Sequence, residues 1–194
     1  MPRLFVAVDM GLSTIEVLSQ LPLPRQTGVR PTAPAQRHLT LHFLGEKNLA
    51  QVATALETVV IPAFELTVAG VGKFSSADGG AILWAGVQAS AELLSLHVAV
   101  AAALAGTGFR PEARRYSPHL TLARCKPCVP ASVVNDLLTR AAEFSRPPET
   151  ITEFHLYSST LGSAAPEYHC ERSYPLMARR VNLEGLTGNE KGSE

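Results

Sequence analysis

The residues with types and spacing suited to chemistry are His38, Thr40, His119 and Thr121. The stretch Arg37-His38-Leu39-Thr40-Leu41-His42-Phe43-Leu44-Gly45 is echoed about eighty residues later by Ser117-Pro118-His119-Leu120-Thr121-Leu122-Ala123-Arg124. Both copies read His-Leu-Thr-Leu and lie in short apolar runs bounded by Pro or Gly, which is a strand signature. On a strand His and Thr two apart share one face while the leucines take the other. Each copy thus offers an imidazole and a hydroxyl above an apolar floor. Two histidines facing each other can divide general acid and base work, because an imidazole titrates near neutrality. An in-line displacement at phosphorus has its attacking and leaving oxygens on opposite sides, which opposed imidazoles match. Two threonines and an arginine could hold the remaining oxygens. The chemistry that follows is phosphodiester hydrolysis.

The elements that must carry these residues can be read in order. Arg3 to Val8 reads as a buried strand, and Ser13-Thr14-Ile15-Glu16 as a capping box opening a helix to about Leu21. Pro22 to Ala35 holds four prolines and reads as a loop; it brings Arg25, Arg30 and then Arg37 towards the first motif. The motif strand His38 to Leu44 ends at Gly45. Asn48, with Gln51 at the third position, caps a helix reaching Ile61. Phe64 to Phe74 reads as one strand, Ser75 to Gly80 as a turn, and Ile82 to Val87 as the hairpin partner. Ala91 to Ala105 is the clearest helix, ended by Gly106 and Gly108, with His97 on its face. The second motif strand, His119 to Arg124, leads through Pro127 and Pro130 to a helix from Ser132 to about Phe144. Ile151 to Leu161 and Tyr168 to Leu176 read as the last strands, joined by residues 162–166.

This order mixes helical crossovers with hairpins, which predicts α+β with antiparallel sheets. The expected organisation is a single domain over residues 1–180, with a polar frayed tail over 181–194. The chain has 46% apolar and 18% charged residues and net charge zero, which argues against tight non-specific nucleic-acid binding. Between Gly106 and Lys126, however, five basic residues accompany one acid, Glu112, a patch suited to a single phosphate. The longest apolar stretch, Leu93 to Ala105, is shorter than the roughly 20 residues a membrane span needs, and the opening residues do not read as a secretory signal. Three cysteines cannot all pair internally, so a reducing cytoplasm is expected. Cys125-Lys126-Pro127-Cys128 could with His169-Cys170 make a zinc or redox site; without a second Cys-x-x-Cys it is set aside.

The chain resembles the 2H phosphoesterase superfamily, and within it the RNA 2′,3′-cyclic phosphodiesterases also called bacterial 2′-5′ RNA ligases. The resemblance rests on Arg3-Leu4-Phe5-Val6-Ala7-Val8-Asp9, both histidine motifs, Leu83-Trp84-Ala85-Gly86-Val87 and Gly108-Phe109-Arg110-Pro111-Glu112. It extends to Leu156-Tyr157-Ser158-Ser159, Tyr168 and Pro175-Leu176. The family implies a bilobal fold, two pseudo-symmetric antiparallel sheets flanked by helices, with the active-site cleft between the lobes. It implies hydrolysis of a terminal 2′,3′-cyclic phosphate to a 2′-phosphomonoester without a metal or other cofactor. By resemblance alone, His38 is the proton donor, His119 the acceptor, and Thr40 and Thr121 hold phosphate oxygens. Phe43 and Arg124, each five residues after its histidine, match family substrate contacts, although strict alternation turns both away from the catalytic face unless a bulge intervenes. His42 departs from the family pattern; sharing the face of His38 and Thr40, it either touches substrate or sits at the rim. The expected partner is an RNA with a 2′,3′-cyclic phosphate end or a small cyclic nucleotide, met by a monomer that needs no protein partner. Ligase direction, cyclic-nucleotide hydrolysis and RNA binding without catalysis stay open as alternatives.

Overall fold

The strands form one eight-stranded antiparallel sheet and a small second pair, packed with the helices on a single apolar core. The computed structural model describes residues 2–161 and 166–178. The strands are β1 (Arg3–Asp9), β2 (Val29–Pro31), β3 (His38–Glu46), β4 (Phe64–Leu66), β5 (Val68–Ser75), β6 (Ala81–Val87), β7 (His119–Cys125), β8 (Glu149–Ile151), β9 (Glu153–Leu161) and β10 (Pro166–Pro175). The helices are α1 (Leu12–Ser19), α2 (Leu49–Leu56), α3 (Ala91–Ala103) and α4 (Ala131–Arg140). The strand order is β10-β9-β1-β3-β7-β6-β5, with β2 on β7 and a separate β4–β8 pair.

Two halves of four strands are visible in that order, and the repeat is β1-α1-β3 against β6-α3-β7. They meet at Leu39 and Leu120, the one Cα pair joining β3 to β7 among the described residues. Equivalent residues of two antiparallel strands thus oppose each other, and a local two-fold axis passes between them. The α+β class and the two antiparallel lobes follow the expectation, with the lobes joined edge to edge through that one pair.

The core gathers Leu4, Val6 and Val8 of β1 with Leu39, Leu41, Leu120 and Leu122 of the motif strands. Helices add residues at turn-like spacing, Leu93, Leu96 and Val100 from α3 and Val134 and Leu137 from α4. Each fully buried Leu contributes about 1.5–3 kcal/mol, which fixes the register of both motif strands, since a one-residue slip would exchange leucines for histidines.

Several local expectations change. The capping box at Ser13–Glu16 does not form. Gly11 is the N-cap of α1 without a side-chain cap, and Glu149 Oε2 instead accepts from Gly11 N and Thr14 Oγ1 at 3.1 Å each. A cap supplied by β8, 138 residues away, leaves no local signature. Asn48 does cap α2, its side chain accepting from Gln51 N, but the helix ends at Leu56 rather than Ile61. The run Phe64–Phe74 splits at Thr67, with β4 pairing β8 and β5 pairing β6. Ile151–Leu161 divides likewise at Thr152, β8 facing β4 and β9 facing β1 and β10. The Pro-rich loop contributes β2, and α4 opens at Ala131 and closes at Arg140. After α3 a short 3-10 turn closes on Gly108, whose φ of 70° is the left-handed cap anticipated there. Residues 162–165 and the tail 181–194 lie outside the described residues.

Candidate active site

Identical burial along the two motif strands builds the site. From its histidine each runs half-buried, buried, half-buried, buried, buried, exposed, buried: β3 through Leu44 and β7 through Cys125. The two consecutive buried residues mark a bulge. On β3 the register steps from Ala7↔Thr40 to Val6↔His42, leaving Leu41 extra. On β7 it steps from Trp84↔Thr121 to Leu83↔Ala123, leaving Leu122 extra. The extra residue is the third after each histidine in both lobes, a matched irregularity that resets alternation.

Four half-buried side chains share one face around the Leu39–Leu120 pair: His38 and Thr40 from β3, His119 and Thr121 from β7. By the register of that pair, His38 lies across from Thr121 and Thr40 across from His119. The bulge also brings Phe43 and Arg124 back to the exposed side. Phe43 is 66% exposed and faces Phe5 in register; Arg124 faces Ile82 on one side and Arg30 on the other. His42 takes the opposite course. It does not share the face of His38 and Thr40, because the bulge turns it inward beside Leu41. There it is 6% exposed, its Nε2 lies 2.8 Å from the His97 carbonyl, and its ring meets that of His97 at 4.0 Å.

The two imidazoles sit in different surroundings. His38 is held among rings: Phe5 stacks on it at 4.8 Å and Tyr168 meets it edge-on at 5.3 Å. Burial pushes its pKa down to about 4, opposed by the carboxylate of Asp9, its cross-strand partner. The Tyr157 hydroxyl donates to Asp9 Oδ2 at 2.6 Å, and His155 Nε2 lies 3.7 Å from the same oxygen. His119 meets Phe74 edge-on at 4.9 Å. Its Nδ1 lies 2.7 Å from the Ser117 carbonyl, which can only accept, so Nδ1 carries the proton and Nε2 keeps its lone pair. Burial lowers the His119 pKa as well; the Ser117 carbonyl opposes this, and Arg114 and Arg124 add to it. An anion attends one histidine and cations attend the other.

Between the lobes lies a hollow of about 290 Å³ lined by Thr40, Phe43, Phe74, Arg115, Tyr116 and His119, among others; His42 and His97 also border it from the buried side, whereas His38 and Thr121 lie outside its lining. Tyr116 reaches across it and donates to the Thr40 carbonyl at 3.0 Å, tying the basic loop to β3. Arg37, which the Pro-rich loop brings to the start of the first motif, is buried. Its guanidinium donates to Ser19 Oγ at 2.8 Å and to the Thr32 carbonyl at 3.3 Å. Cys125 is buried and Cys128 exposed, both as free thiols, and no group of three or more metal-ligating side chains occurs among the described residues. Among those residues, no helix is long and apolar enough to cross a membrane.

Sequence reasoning passed over Asp9, Phe74, Trp84 and Tyr116 as site residues. Alternation on β1 and β6 would have put Asp9 and Trp84 on the motif face, but their cross-strand neighbours depend on pairing that local patterns do not encode.

A bilobal α+β sheet carrying a His-x-Thr pair at corresponding points of two repeats defines a class of proteins with a two-histidine cleft. The model of the 2′-5′ RNA ligase superfamily matches residues 17–162, and the chain belongs to that superfamily. Among curated relatives, the RNA 2′,3′-cyclic phosphodiesterase of Archaeoglobus fulgidus is 32% identical over 86% of this chain and 96% of its own length. That of Geobacillus stearothermophilus is 30% identical over 97% of this chain and 60% of its own. The crystal structure of E. coli LigT complexed with 3'-AMP superposes with a TM-score of 0.67 at 25% identity, covering 90% of this chain and 98% of LigT. TT0787 of Thermus thermophilus shares the fold at a TM-score of 0.75 and 24% identity, over 91% and 98% of the two chains.

Proposed function

We propose that this protein hydrolyses RNA 2′,3′-cyclic phosphate ends to 2′-phosphomonoesters by a two-histidine mechanism that needs no metal. The observation that carries the reading is the matched pair of bulged motif strands around Leu39 and Leu120, with His38, Thr40, His119 and Thr121 half-buried on one face. The relatives named RNA 2′,3′-cyclic phosphodiesterases support the substrate class.

His119 Nε2, with its lone pair free, takes a proton from water as the water oxygen attacks phosphorus. The bond from phosphorus to the 3′ oxygen breaks in line, and His38 delivers its proton to that oxygen. The 2′ ester bond survives, so the product is a 2′-phosphomonoester. Thr40 and Thr121 donate hydroxyl hydrogen bonds to the non-bridging oxygens, and Arg124 offsets their charge. Electrostatics support the division of labour. Asp9 beside His38 favours an imidazolium, and Arg114 and Arg124 beside His119 favour a neutral ring. With its pKa lowered to about 4 in the free protein, His38 acquires its proton together with the anionic substrate, whose charge stabilises it.

The test is release of 2′-phosphate from a short RNA ending in a 2′,3′-cyclic phosphate, with EDTA present. Turnover in the wild type, lost in both His38→Ala and His119→Ala, is the expected result. RNA binding without turnover in the wild type would leave a binding protein on this fold, and turnover abolished by EDTA would overturn the metal-free step.

A further inference from the structure

In-line geometry determines where the rest of the RNA runs, and the inference that follows rests on the acid and base roles given above. Water enters from the His119 side, so the ribose bearing the leaving 3′ oxygen lies towards His38. The chain attached to that ribose must then cross the surface of the His38 lobe. A second hollow of about 460 Å³ opens there, lined by Arg3, Phe5, Phe43, Glu46, Ser159 and Tyr168 among others. Phe43 lines both hollows and forms the wall between them.

One face of β1 carries Arg3, Phe5, Ala7 and Asp9 at alternate positions, exposed at its two ends and buried at Phe5 and Ala7, with Asp9 opposite His38 and Arg3 at the far end. Ala7, the partner of Thr40, lies four residue steps along the strand from Arg3, a span of about 13 Å. Phe43 and Tyr168 are 66% and 37% exposed beside buried Phe5, with ring centroids 6.1 and 5.0 Å from it. Exposed aromatic faces bordered by a guanidinium match a stacked base followed by a phosphate. The Arg3 side chain makes no hydrogen bond or ion pair among the described residues, not even with Glu46, its Cα partner on the same rim. We propose that this hollow is an upstream subsite for single-stranded RNA, in which Phe43 and Tyr168 stack a base and Arg3 pairs with a phosphodiester one or two nucleotides before the reacting end. The protein would then favour oligonucleotide ends over free cyclic nucleotides, with Glu46 limiting that gain by its charge.

The experiment compares a cyclic mononucleotide with a trinucleotide ending in a 2′,3′-cyclic phosphate, at several salt concentrations. Arg3→Ala is expected to raise KM for the trinucleotide about three- to tenfold, the effect of losing one charged contact. It should leave the mononucleotide unchanged and reduce the salt slope for the trinucleotide by about 0.7. Glu46→Gln should lower KM for the trinucleotide alone. Equal effects of Arg3→Ala on both substrates, or none on either, would overturn the subsite while leaving the hydrolase reading intact. A loss confined to the trinucleotide in Arg115→Ala and absent in Arg3→Ala would overturn it too, sending the chain over the opposite lobe. Inactivity of the wild type on both substrates would instead sink the hydrolase reading itself.

Discussion

Leu39 and Leu120, both fully buried, are the equivalent residues of the two motifs and also direct cross-strand partners. Because the pseudo-two-fold passes between them, the distance across the cleft depends on how these two side chains pack. Each is preceded by a motif histidine and followed by a threonine. Leu120→Ala should therefore act twice. It should destabilise the protein by about 2–5 kcal/mol, as core truncations of this size do. It should also lower kcat more than it raises KM while the protein is still folded, since the two imidazoles lose their common support. Urea unfolding and steady-state kinetics on one preparation check both effects; a stability loss with unchanged kcat would detach the leucine pair from catalysis.

The pH dependence should separate free and bound protein. In the free protein burial lowers His38 to about 4 and His119 below its ordinary value. The form with a proton on the acid is lost as pH rises through those values. The maximum of kcat/KM, which reports the free protein, should consequently fall below about pH 6.5, the ordinary imidazole value. Bound phosphate favours the imidazolium, so the alkaline limb of kcat should lie at higher pH than that of kcat/KM. Coincident limbs would show that substrate charge does not recharge His38.

Asp9 should set how far His38 falls. Its carboxylate raises the histidine pKa against burial, and the Tyr157 hydroxyl holds it at 2.6 Å. Burial and that carboxylate push the Tyr157 hydroxyl well above its ordinary pKa, so it remains a donor throughout the working range. Asp9→Asn removes the charge and should move the limb of kcat/KM that belongs to His38 to lower pH, with a fall in activity at neutrality. Tyr157→Phe keeps the charge and should move the limb less. A pH profile identical in Asp9→Asn and wild type would remove Asp9 from the proton chemistry.

Much of this arrangement was legible because it is periodic. The alternation His-Leu-Thr-Leu, twice, announced two strands with a polar and an apolar face, and the resemblance supplied the roles. That Phe43 and Arg124 need a bulge to join the site also followed from counting. What alternation could not reveal was the position of that bulge. Placed at Leu41 and Leu122, it returns Phe43 and Arg124 outward but turns His42 into the core against His97. Long-range partners were equally invisible: Glu149 capping α1, Arg37 spanning to Ser19, and Thr67 parting two strands into different sheets. Each depends on residues brought together only after the sheet closes.

Acid should loosen the protein through the imidazole pair of buried His42 and half-buried His97. His97 is lowered to about 4, by burial and then by His42, and His42 is lowered by burial against the opposing His97 carbonyl and Glu112. Between these folded values and about 6.5 in the unfolded chain, the unfolded state binds more protons. Stability is thus full above about pH 6.5 and falls as pH drops towards 4. Thermal melts across that window should show Tm decreasing, with a shallower decrease in His97→Phe, which keeps the stacking on Tyr116 seen at 4.0 Å but cannot take a proton. An unchanged slope would assign the acid sensitivity to other groups.

The indole of Trp84 offers a direct view of the cleft, because it is the one tryptophan in the chain. It lies beside His119 at 6.3 Å between ring centroids, is paired with Thr121 in register, and packs over Gly72 of β5. A Cβ at Gly72 would run into the indole ring itself, so glycine at that position is a condition of the ring's placement. Gly72→Ala should displace the indole towards His119. The expected signs are a shift in Trp emission, a fall in kcat and a smaller change in KM for the cyclic mononucleotide. The same emission should respond when inorganic phosphate is titrated into the wild type and respond less in Thr121→Ala. An alanine variant with native emission and native kcat would mean that the strand yields instead of the ring, and that the Trp84 wall does not position His119.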